Sequence, residues 1–227
     1  MIPDNSKLDN PAWYSLAETH APLSVGIGSL RCYLPDVCPF GGYQDDPARI
    51  ASALKEFSHQ SQAFYLIGER PACPQNLTID KELVCLQMCL DKPMEQNITE
   101  QIVPLNNNYA LALHELVNLV QPGYFLPGTI RMGDYFGIFK EDRLVAVTGE
   151  RMKMEGFTEI SAVVTHPDHT GKGYARQLMT YTIEKIFREN REPYLHVAES
   201  NQGAITLYEK LGFRTRRKIS FWHLITR

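Results

Sequence analysis

Residues 157–213 constrain the fold more than any other part of this sequence, because strand-like and helix-like segments alternate there around a short glycine-containing loop. Residues 157–165 and 194–198 are rich in apolar and β-branched side chains, which is typical of buried strands. Helical segments follow, one after the loop that ends at residue 175 and running to about residue 190, and one from 201 to 211. The order strand, glycine loop, helix, strand, helix predicts a βαβα unit within an α/β fold.

The glycine loop before the first of these helices is suited to an anion. A helix start leaves about four backbone N–H groups unpaired at the positive end of the helix dipole. Gly171 and Gly173 remove side chains that would keep an anion away from those donors, and Lys172 and Arg176 add positive charge. We therefore predict a site for a pyrophosphate-sized anion. The alternative is that the glycine pair serves only the turn into the helix.

The second predicted helix presents a polar face. Asn201, Ala204 and Tyr208 lie three and seven residues apart, so they share one side of the helix. A rise of about 1.5 Å per residue separates Asn201 from Tyr208 by about 10 Å, which suits an extended ligand. The structural alternative makes Asn201 an N-cap, Tyr208 a packing residue and Gly212 the helix end.

Together, these motifs resemble the GNAT superfamily of acyl-CoA-dependent N-acyltransferases. That family carries an Arg/Gln-x-x-Gly-x-Gly/Ala loop after a strand, then a helix with Asn and Tyr seven residues apart that ends near Leu-Gly-Phe. Here the loop is Thr-Gly-Lys-Gly-Tyr-Ala at residues 170–175, and Leu-Gly-Phe follows the second helix at 211–213. The resemblance covers about residues 130–221. Thr170 departs from it, since the family's Arg or Gln side chain at that position reaches the phosphates.

The resemblance implies a fold, a cosubstrate and a binding site. The fold is of the α/β (α+β) class, with a mixed, mostly antiparallel sheet flanked by helices. The cosubstrate is acetyl-CoA, whose pantetheine arm meets the splayed end of the first strand. On this resemblance the cofactor-binding residues are Val163, Val164, Thr165, Thr170, Gly171, Lys172, Gly173, Tyr174, Ala175, Arg176 and Asn201.

The reaction of this family needs a proton acceptor and a proton donor. A primary amine with a pKa of roughly 10 is mostly protonated at neutral pH, and the departing CoA thiolate leaves more easily if an acid protonates it. The resemblance makes Tyr208 the acid and Glu159, a lone carboxylate in an apolar strand, the base. Glu150 is the second candidate base, and a salt bridge or an acceptor-binding role is the alternative for Glu159. Period-two alternation predicts one face of this strand with Phe157, Glu159, Ser161 and Val163, and another with Ile160, Ala162 and Val164.

Other nucleophiles and bases are less suitable. We interpret His166 as part of a turn that ends the strand, His169 as a residue of the following loop, and His196 as a strand residue. All five cysteines fall at or before Cys89, outside the motif-bearing half of the chain. We therefore expect direct transfer within a ternary complex rather than an acyl-cysteine intermediate.

Charge and composition limit the partners. A net charge of −3 is unlike that of nucleic-acid binders, which carry a basic excess. The chain lacks an apolar run of about 18 residues and an export signal, so we expect a cytoplasmic protein with free thiols, no membrane partner and no metal site. It is expected to be a monomer or homodimer. The basic run 214–218 is interpreted as a solvated turn and edge strand, with CoA phosphate contact as the alternative.

The first part of the chain carries no recognisable catalytic constellation. We assign residues 1–96 to an N-terminal domain and residues 97–227 to the acyltransferase domain, joined by a linker at 91–105. Helices are predicted at 13–20 and 47–57, and strands at 64–68 and 83–90. Residues 80–86 resemble residues 141–147, each a charged turn followed by an apolar strand, which suggests that the N-terminal domain is a degenerate second copy.

The acceptor pocket is expected beside the loop that follows a helix at 110–120. Tyr124, Phe125 and Met132 are candidates to line it, with core packing as the alternative. The acceptor is predicted to be a small-molecule or amino-acid-like amine. A non-catalytic acyl-CoA-binding or sensor protein is the rival function. A nicotinamide-dependent oxidoreductase is excluded, because Arg176 stands where its fingerprint needs a third glycine-like residue.

Overall fold

A computed structural model describes residues 4–93 and 97–227. The strands are β1 (Ser24–Ile27), β2 (Leu30–Tyr33), β3 (Phe40–Tyr43), β4 (Ala63–Ile67), β5 (Leu77–Cys89), β6 (Val103–Leu105), β7 (Tyr135–Lys140), β8 (Arg143–Met154), β9 (Phe157–Thr165), β10 (Glu192–Ala198) and β11 (Arg214–Thr226). The helices are α1 (Pro11–Ala17), α2 (Ala51–Phe57), α3 (Ala110–Val120), α4 (Tyr174–Arg188) and α5 (Gln202–Lys210). Short 3₁₀ segments lie at Asn5–Asp9, Ala21–Leu23, Asn107–Tyr109, Thr129–Met132 and Pro167–His169.

All of these strands belong to one sheet, in the order β1-β2-β3-β4-β11-β5-β10-β9-β8-β7-β6. The pairs β3/β4 and β9/β10 are parallel and the others are antiparallel, which confirms the predicted mixed, mostly antiparallel sheet. Strand β5 from the first half of the chain pairs with both β10 and β11 from the second half. The proposed division between 96 and 97 adjoins residues 94–96, outside the described residues, and stays a prediction.

Strands β9 and β10 are paired only at their beginnings. Their parallel register runs from Phe157 opposite Glu192 to Glu159 opposite Tyr194, and β10 then continues along β5. From Ile160 onward, β9 has no strand partner on its β10 side in the described part of the chain. The two strands therefore diverge and leave an opening in the middle of the sheet.

A bulge in β9 overturns the simple alternation predicted for this strand. Ala162 has a φ of 50°, and the register with β8 shifts between Val164 and Ser161. As a result, Val163 packs in the same cluster as Ile160, beside α4 and α5, whereas Ala162 and Val164 pack with α3. The prediction that Ile160, Ala162 and Val164 share a face is therefore wrong, because the extra residue reverses the facing of the strand beyond it.

The helices of the motif-bearing half follow the predicted pattern. Helix α4 ends at Arg188, two residues before the expected end, and α5 begins immediately after Asn201. The side chain of Asn201 accepts a hydrogen bond from the Ala204 amide at 3.1 Å, so Asn201 is the N-cap. Gly212, with a φ of 93°, follows the helix end, as the C-terminal glycine rule predicts.

The core lies on both faces of the sheet. On one face, Met179 of α4 and Ile205 of α5 pack against Ile160 of β9. On the other face, Leu16 of α1 packs with Met152 and Phe157. Helix α3 covers the end of that second face through Leu113, Leu116 and Val117. Within the described chain, no helix combines the length and hydrophobicity that a membrane crossing requires.

Several expectations for the first half of the chain are corrected. Residues 80–82, predicted to form a charged turn, lie inside β5, which starts at Leu77. Strands β4 and β5 are separated by β11, so they do not form the hairpin that the comparison with residues 141–147 required. The basic run 214–218 is the exposed beginning of β11: it pairs with β5 on one side, and β4 joins β11 on the other side only from Phe221 onward, which agrees with the interpretation as a solvated edge segment. The first helix spans Pro11–Ala17, the second begins at Ala51, and part of the predicted linker is strand β6.

Candidate active site

The opening between β9 and β10 holds a cleft of about 210 Å³. We define the cleft by the residues that line it on both faces of the sheet. Val163 and Ile160 reach it from the α4/α5 face, and Phe40 and Arg151 reach it from the other. Because the sheet is open here, two ligands can approach a common point from opposite faces.

Tyr208 lines the cleft and is well placed to act as a proton or hydrogen-bond donor. Its side chain is buried, and its ring packs edge-on against Phe213. Its hydroxyl group has no hydrogen-bond partner among the described residues, although the residue lines the cavity. Burial raises the pKa of Tyr208 to about 12, so the phenol stays protonated at neutral pH.

Glu159 is fully buried and is held by two side chains and by the Met152 amide, which donates to its Oε2 at 3.4 Å. Arg151 donates two hydrogen bonds to its carboxylate, from Nε at 2.7 Å and from Nη2 at 2.6 Å, and His196 Nδ1 lies 2.7 Å from Oε1. Burial alone raises the pKa of Glu159, but the Arg151 charge and these hydrogen bonds outweigh it and lower the pKa to about 2. Such a carboxylate is a weak base, so its surroundings oppose the predicted base role. They match instead the salt-bridge alternative.

His196 lines the cleft but both of its ring nitrogens are engaged. Nδ1 faces Glu159, and Nε2 lies 3.2 Å from the side-chain amide nitrogen of Gln87. Gln87 is itself fixed, since its Nε2 donates to the Leu8 carbonyl and its Oε1 accepts from Arg216. A chain of hydrogen bonds therefore runs from Arg216 through Gln87, His196 and Glu159 to Arg151, and it ties the first half of the chain to the second.

Glu150, the second candidate base, lies away from this cleft. Its carboxylate is buried and accepts hydrogen bonds from Lys153 and Lys185, each at 2.7 Å. It is not among the residues that line the cleft. Its role in the structure is to pair with these two lysines.

The glycine loop has the geometry of an anion site. Gly171 and Gly173 have φ values of 76° and 77°, which favour glycine, and a Cβ added at either position meets nothing within 4 Å. None of the backbone amides from residue 171 to residue 176 donates to an acceptor in the described chain. The loop therefore presents open, unpartnered N–H groups at the start of the 15-residue helix α4.

Comparison with known proteins identifies the family. A family model described as FR47-like protein matches residues 135–222. A crystal structure assigned to the GNAT family as an acetyltransferase, from Novosphingobium aromaticivorans, is 32% identical over 97% of this chain and 98% of that chain, with a TM-score of 0.86. The chain belongs to the GNAT family of acetyltransferases. A GCN5-related N-acetyltransferase from Kribbella flavida, 17% identical over 95% of each chain with a TM-score of 0.62, shares the fold.

A curated GNAT relative matches only locally. Spermidine N(1)-acetyltransferase from Vibrio cholerae is 40% identical over 53 residues, which are 22% of this chain and 31% of that enzyme. The aligned segment thus spans less than a third of the relative's length. The spermidine in its name is the substrate of that enzyme and is not assigned to this chain.

Thr170, which stands where the GNAT loop pattern has Arg or Gln, is used within its own turn. The Thr170 hydroxyl donates to the Pro167 carbonyl at 3.1 Å, within its own turn. Lys172 and Arg176 are exposed beside the loop, and neither forms a salt bridge with a described carboxylate. These two side chains are therefore free to replace the missing Arg or Gln. His166 caps the same turn by accepting from the Asp168 amide, as the turn interpretation predicted.

The remaining predicted residues are distributed between the cleft and the core. Val163 and Asn201 line the cleft, while Val164 is buried against α3. Tyr124 lines the cleft, but Phe125 and Met132 belong to the core, as the packing alternative proposed. The basic residues Arg216 and Arg217 bind Asp9, and Lys218 binds Glu199, so each contacts a carboxylate of the protein.

Sequence reasoning missed Arg151 and Phe40. The signal for Arg151 is its position eight residues before Glu159, across a two-residue turn at 155–156 that folds β8 onto β9. An arginine and a glutamate that face each other in such a hairpin form a cross-strand pair. Phe40 comes from the distant strand β3, and its ring lies 4.8 Å from the Arg151 guanidinium carbon. No local pattern places it in the cleft.

Proposed function

We propose that this protein transfers an acetyl group from acetyl-CoA to a primary amine of a small-molecule or amino-acid-like acceptor, by direct attack in a ternary complex. One observation carries the proposal: the sheet opens at a cleft that contains an unpartnered phenol, that of Tyr208. The GNAT family membership of the chain supplies the reaction class.

The glycine loop is proposed to bind the diphosphate of CoA. Its unpartnered amides and the positive end of the α4 dipole favour an anion, and Lys172 and Arg176 add two charges. Tyr174 and Ala175 begin the helix and contribute their N–H groups.

The unpaired edge of β9 is proposed to bind the pantetheine arm. Val164 and Thr165 pair with β8 on one side, Val163 lies in the bulge beside them, and the opposite side of the strand faces the cleft where β10 diverges. Backbone groups there match the amides of pantetheine. Asn201, whose Oδ1 is used as an N-cap, retains its side-chain NH₂ group for a ligand carbonyl.

Tyr208 is proposed to donate a proton, or a hydrogen bond, to the departing thiolate. A phenol with a pKa of about 12 is always protonated at neutral pH, and this favours hydrogen-bond donation over complete transfer. We propose that Glu159 positions Arg151 and His196, and that the amine proton leaves through water in the cleft. The amine then reacts as its neutral form.

The first half of the chain is proposed to shape the acceptor side. Phe40 of β3 and the loop residue Tyr124 line the cleft on the face opposite α4 and α5. The acetyl donor can therefore enter from one face of the sheet and the acceptor from the other. This arrangement favours direct transfer without an acyl-enzyme. Among the residues that the structure describes, Cys85 is the only cysteine lining the cleft, and burial raises its pKa to about 12.

Titration calorimetry with acetyl-CoA, together with an assay of thiol release in the presence of amines, tests this proposal. Gly173→Val is expected to abolish measurable acetyl-CoA binding, because the new side chain covers the amides. Gly28→Val is the matched control: Gly28 also has a positive φ, of 58°, with open space around it, but it lies in the β1–β2 turn. Equal losses in both variants, or unchanged binding in Gly173→Val, contradict the proposal.

The rival function is an acyl-CoA sensor without turnover. Such a protein binds acetyl-CoA at the glycine loop but releases no thiol with any amine. The buried, unpartnered phenol of Tyr208 favours the enzyme, because a sensor has no use for a donor in the cleft. We also propose that the protein acts in the cytoplasm as a monomer or homodimer.

A further inference from the structure

A second cavity adjoins the cleft. It has a volume of about 440 Å³, within the usual range of small-molecule sites, and we call it the side cavity. Phe40 and Tyr124 line both the cleft and the side cavity, so the two meet at these residues. Tyr65, Lys81 and His223 line the side cavity alone. An acceptor amine in the cleft can therefore extend the rest of its structure into the side cavity.

Aromatic rings dominate the wall between the two cavities. The Tyr65 ring stacks on His223 with centroids 4.5 Å apart, and it lies 5.7 Å from the rings of both Tyr124 and Phe40. Aromatic pairs at these distances contribute about 0.5–1.5 kcal/mol beyond the area they bury. A flat aromatic group is thus the apolar occupant that this wall favours.

The charges around the cavities disfavour a cationic acceptor. Among the described residues, no aspartate or glutamate lines the cleft or the side cavity, whereas Arg151 lines the first and Lys81 the second. The Lys81 ammonium has no carboxylate within 4 Å in the described chain and lies 6.0 Å from the Tyr65 ring centroid. The carboxylates nearest to these walls already have partners, Glu159 with Arg151 and Asp80 with His223, so a polyamine or a lysine-like side chain meets no unpartnered carboxylate there.

Arg151 retains a donor for an anionic group. Its Nε and Nη2 atoms bind Glu159, which leaves Nη1 without a hydrogen-bond acceptor among the described residues. Arg151 lines the same cleft as Tyr208, where the amine must react. A carboxylate close to that amine can accept a charge-assisted hydrogen bond from Nη1.

Building on the proposed function, we propose that the acceptor is an α-amino acid with an aromatic side chain. Its carboxylate binds Arg151 Nη1, and its ring occupies the side cavity beside Phe40, Tyr65 and Tyr124. The amine nitrogen forms the new bond to the thioester carbonyl, and the carbon–sulfur bond breaks. One amine proton passes to solvent, the thiolate leaves as the thiol of CoA, and the product is an N-acetyl amino acid.

Four acceptors separate the contributions of ring, carboxylate and charge. Thiol release from acetyl-CoA is followed with L-phenylalanine, L-phenylalaninamide, phenethylamine and spermidine. We expect kcat/KM for L-phenylalanine to exceed that for the amide and for phenethylamine by at least roughly tenfold, because a hydrogen bond to a charged group is lost. Spermidine is expected to be the poorest acceptor of the four.

A charge reversal tests the side cavity directly. Lys81→Glu is expected to raise the ratio of kcat/KM for spermidine to that for L-phenylalanine by about fivefold, the scale of an exposed ion pair. Lys55→Glu makes the same change on the exposed surface of α2, outside both cavities, and should leave the ratio unchanged. A ratio that moves equally in both variants, or in neither, contradicts the role of Lys81.

Calorimetry with acetyl-CoA keeps this inference separate from the proposed function. If acetyl-CoA binds and spermidine is used as well as or better than L-phenylalanine, the acceptor class is wrong while the transferase function stands. The same holds if L-phenylalanine and phenethylamine are used equally. If acetyl-CoA binds and none of the four amines is acetylated, the acceptor class is wrong, and the wider amine screen decides between a transferase and the sensor. If acetyl-CoA does not bind, the proposed function itself fails.

Discussion

Replacing Glu159 with glutamine separates a positioning role from a base role. The substitution keeps the size of the side chain and removes the negative charge that faces Arg151 and His196. Arg151 then stays mostly buried without its counter-charge. Removing one member of a buried ion pair commonly costs about 3–5 kcal/mol, because the remaining charge is left uncompensated.

The pKa of Glu159 independently gives a similar value for the stability that this charge contributes. It falls from 4.5 to about 2 on folding, and about 2.5 units at 1.36 kcal/mol per unit correspond to about 3 kcal/mol at pH 7. Since the folded-state pKa is the lower one, this stabilisation is complete above pH of about 4.5. It is lost as the pH falls towards about 2. The linkage relation leaves about 2 kcal/mol at a pH of about 3.5.

Urea unfolding of the wild type and of Glu159→Gln measures the loss of stability at pH 7 and the smaller loss at a pH of about 3.5. Glu155→Gln removes a charge from the exposed β8–β9 turn, where Glu155 forms a surface ion pair with Lys7, and is expected to change the free energy of unfolding far less than Glu159→Gln does. In the acetyl-transfer assay, Glu159→Gln should lower the rate without moving the apparent pKa of the pH–rate profile. A stability equal to that of the wild type, or a shifted alkaline pKa, refutes the reasoning and restores Glu159 as the base.

Two further substitutions address the phenol and the packing of the sheet. Tyr208→Phe should bind acetyl-CoA with unchanged Kd in calorimetry while its kcat falls by roughly tenfold or more; an unaltered kcat removes Tyr208 from the donor role. Gly149→Ala makes a Cβ overlap the Tyr135 ring, so thermal or urea unfolding should show a loss of about 1–3 kcal/mol. Gly203→Ala in α5, where the nearest atom is 4.0 Å away, should instead stabilise the protein by about 0.5–1 kcal/mol, and a loss there contradicts the packing argument.

Local sequence rules were sufficient for the motif-bearing half of the chain. The bounds of β9 and α3 agree with those expected, and α4, α5 and β10 differ by no more than two residues. Their periodicity, the Asn201 cap and the glycines all act within a few residues, so the sequence shows them directly. The glycine loop and the placement of Tyr208 in the cleft follow from the same local signals.

Long-range pairing could not be read in this way. The bulge at Ala162 depends on the register between β8 and β9, and alternation alone gives no sign of the extra residue. The position of β11 between β4 and β5 joins residues more than 120 positions apart in the sequence. The charges at residues 80–82 suggested a turn, yet they are compatible with the long, partly exposed strand β5.

The chemical role of Glu159 could not be predicted from local sequence either. Glu159 was identified as an unusual buried carboxylate, which the structure confirms. Its partners come from three strands, with Arg151 on β8, His196 on β10 and, through His196, Gln87 on β5. The pKa of a carboxyl group depends on such neighbours, so its chemical role required the fold.

A crystal structure with bound CoA tests the central claim most directly. We expect the diphosphate to accept hydrogen bonds from the amides of residues 171–176, and the pantetheine arm to run along the free edge of β9. The sulfur atom should then lie in the cleft beside the Tyr208 hydroxyl. CoA bound elsewhere on the protein, or a diphosphate without contacts to the glycine loop, contradicts this account.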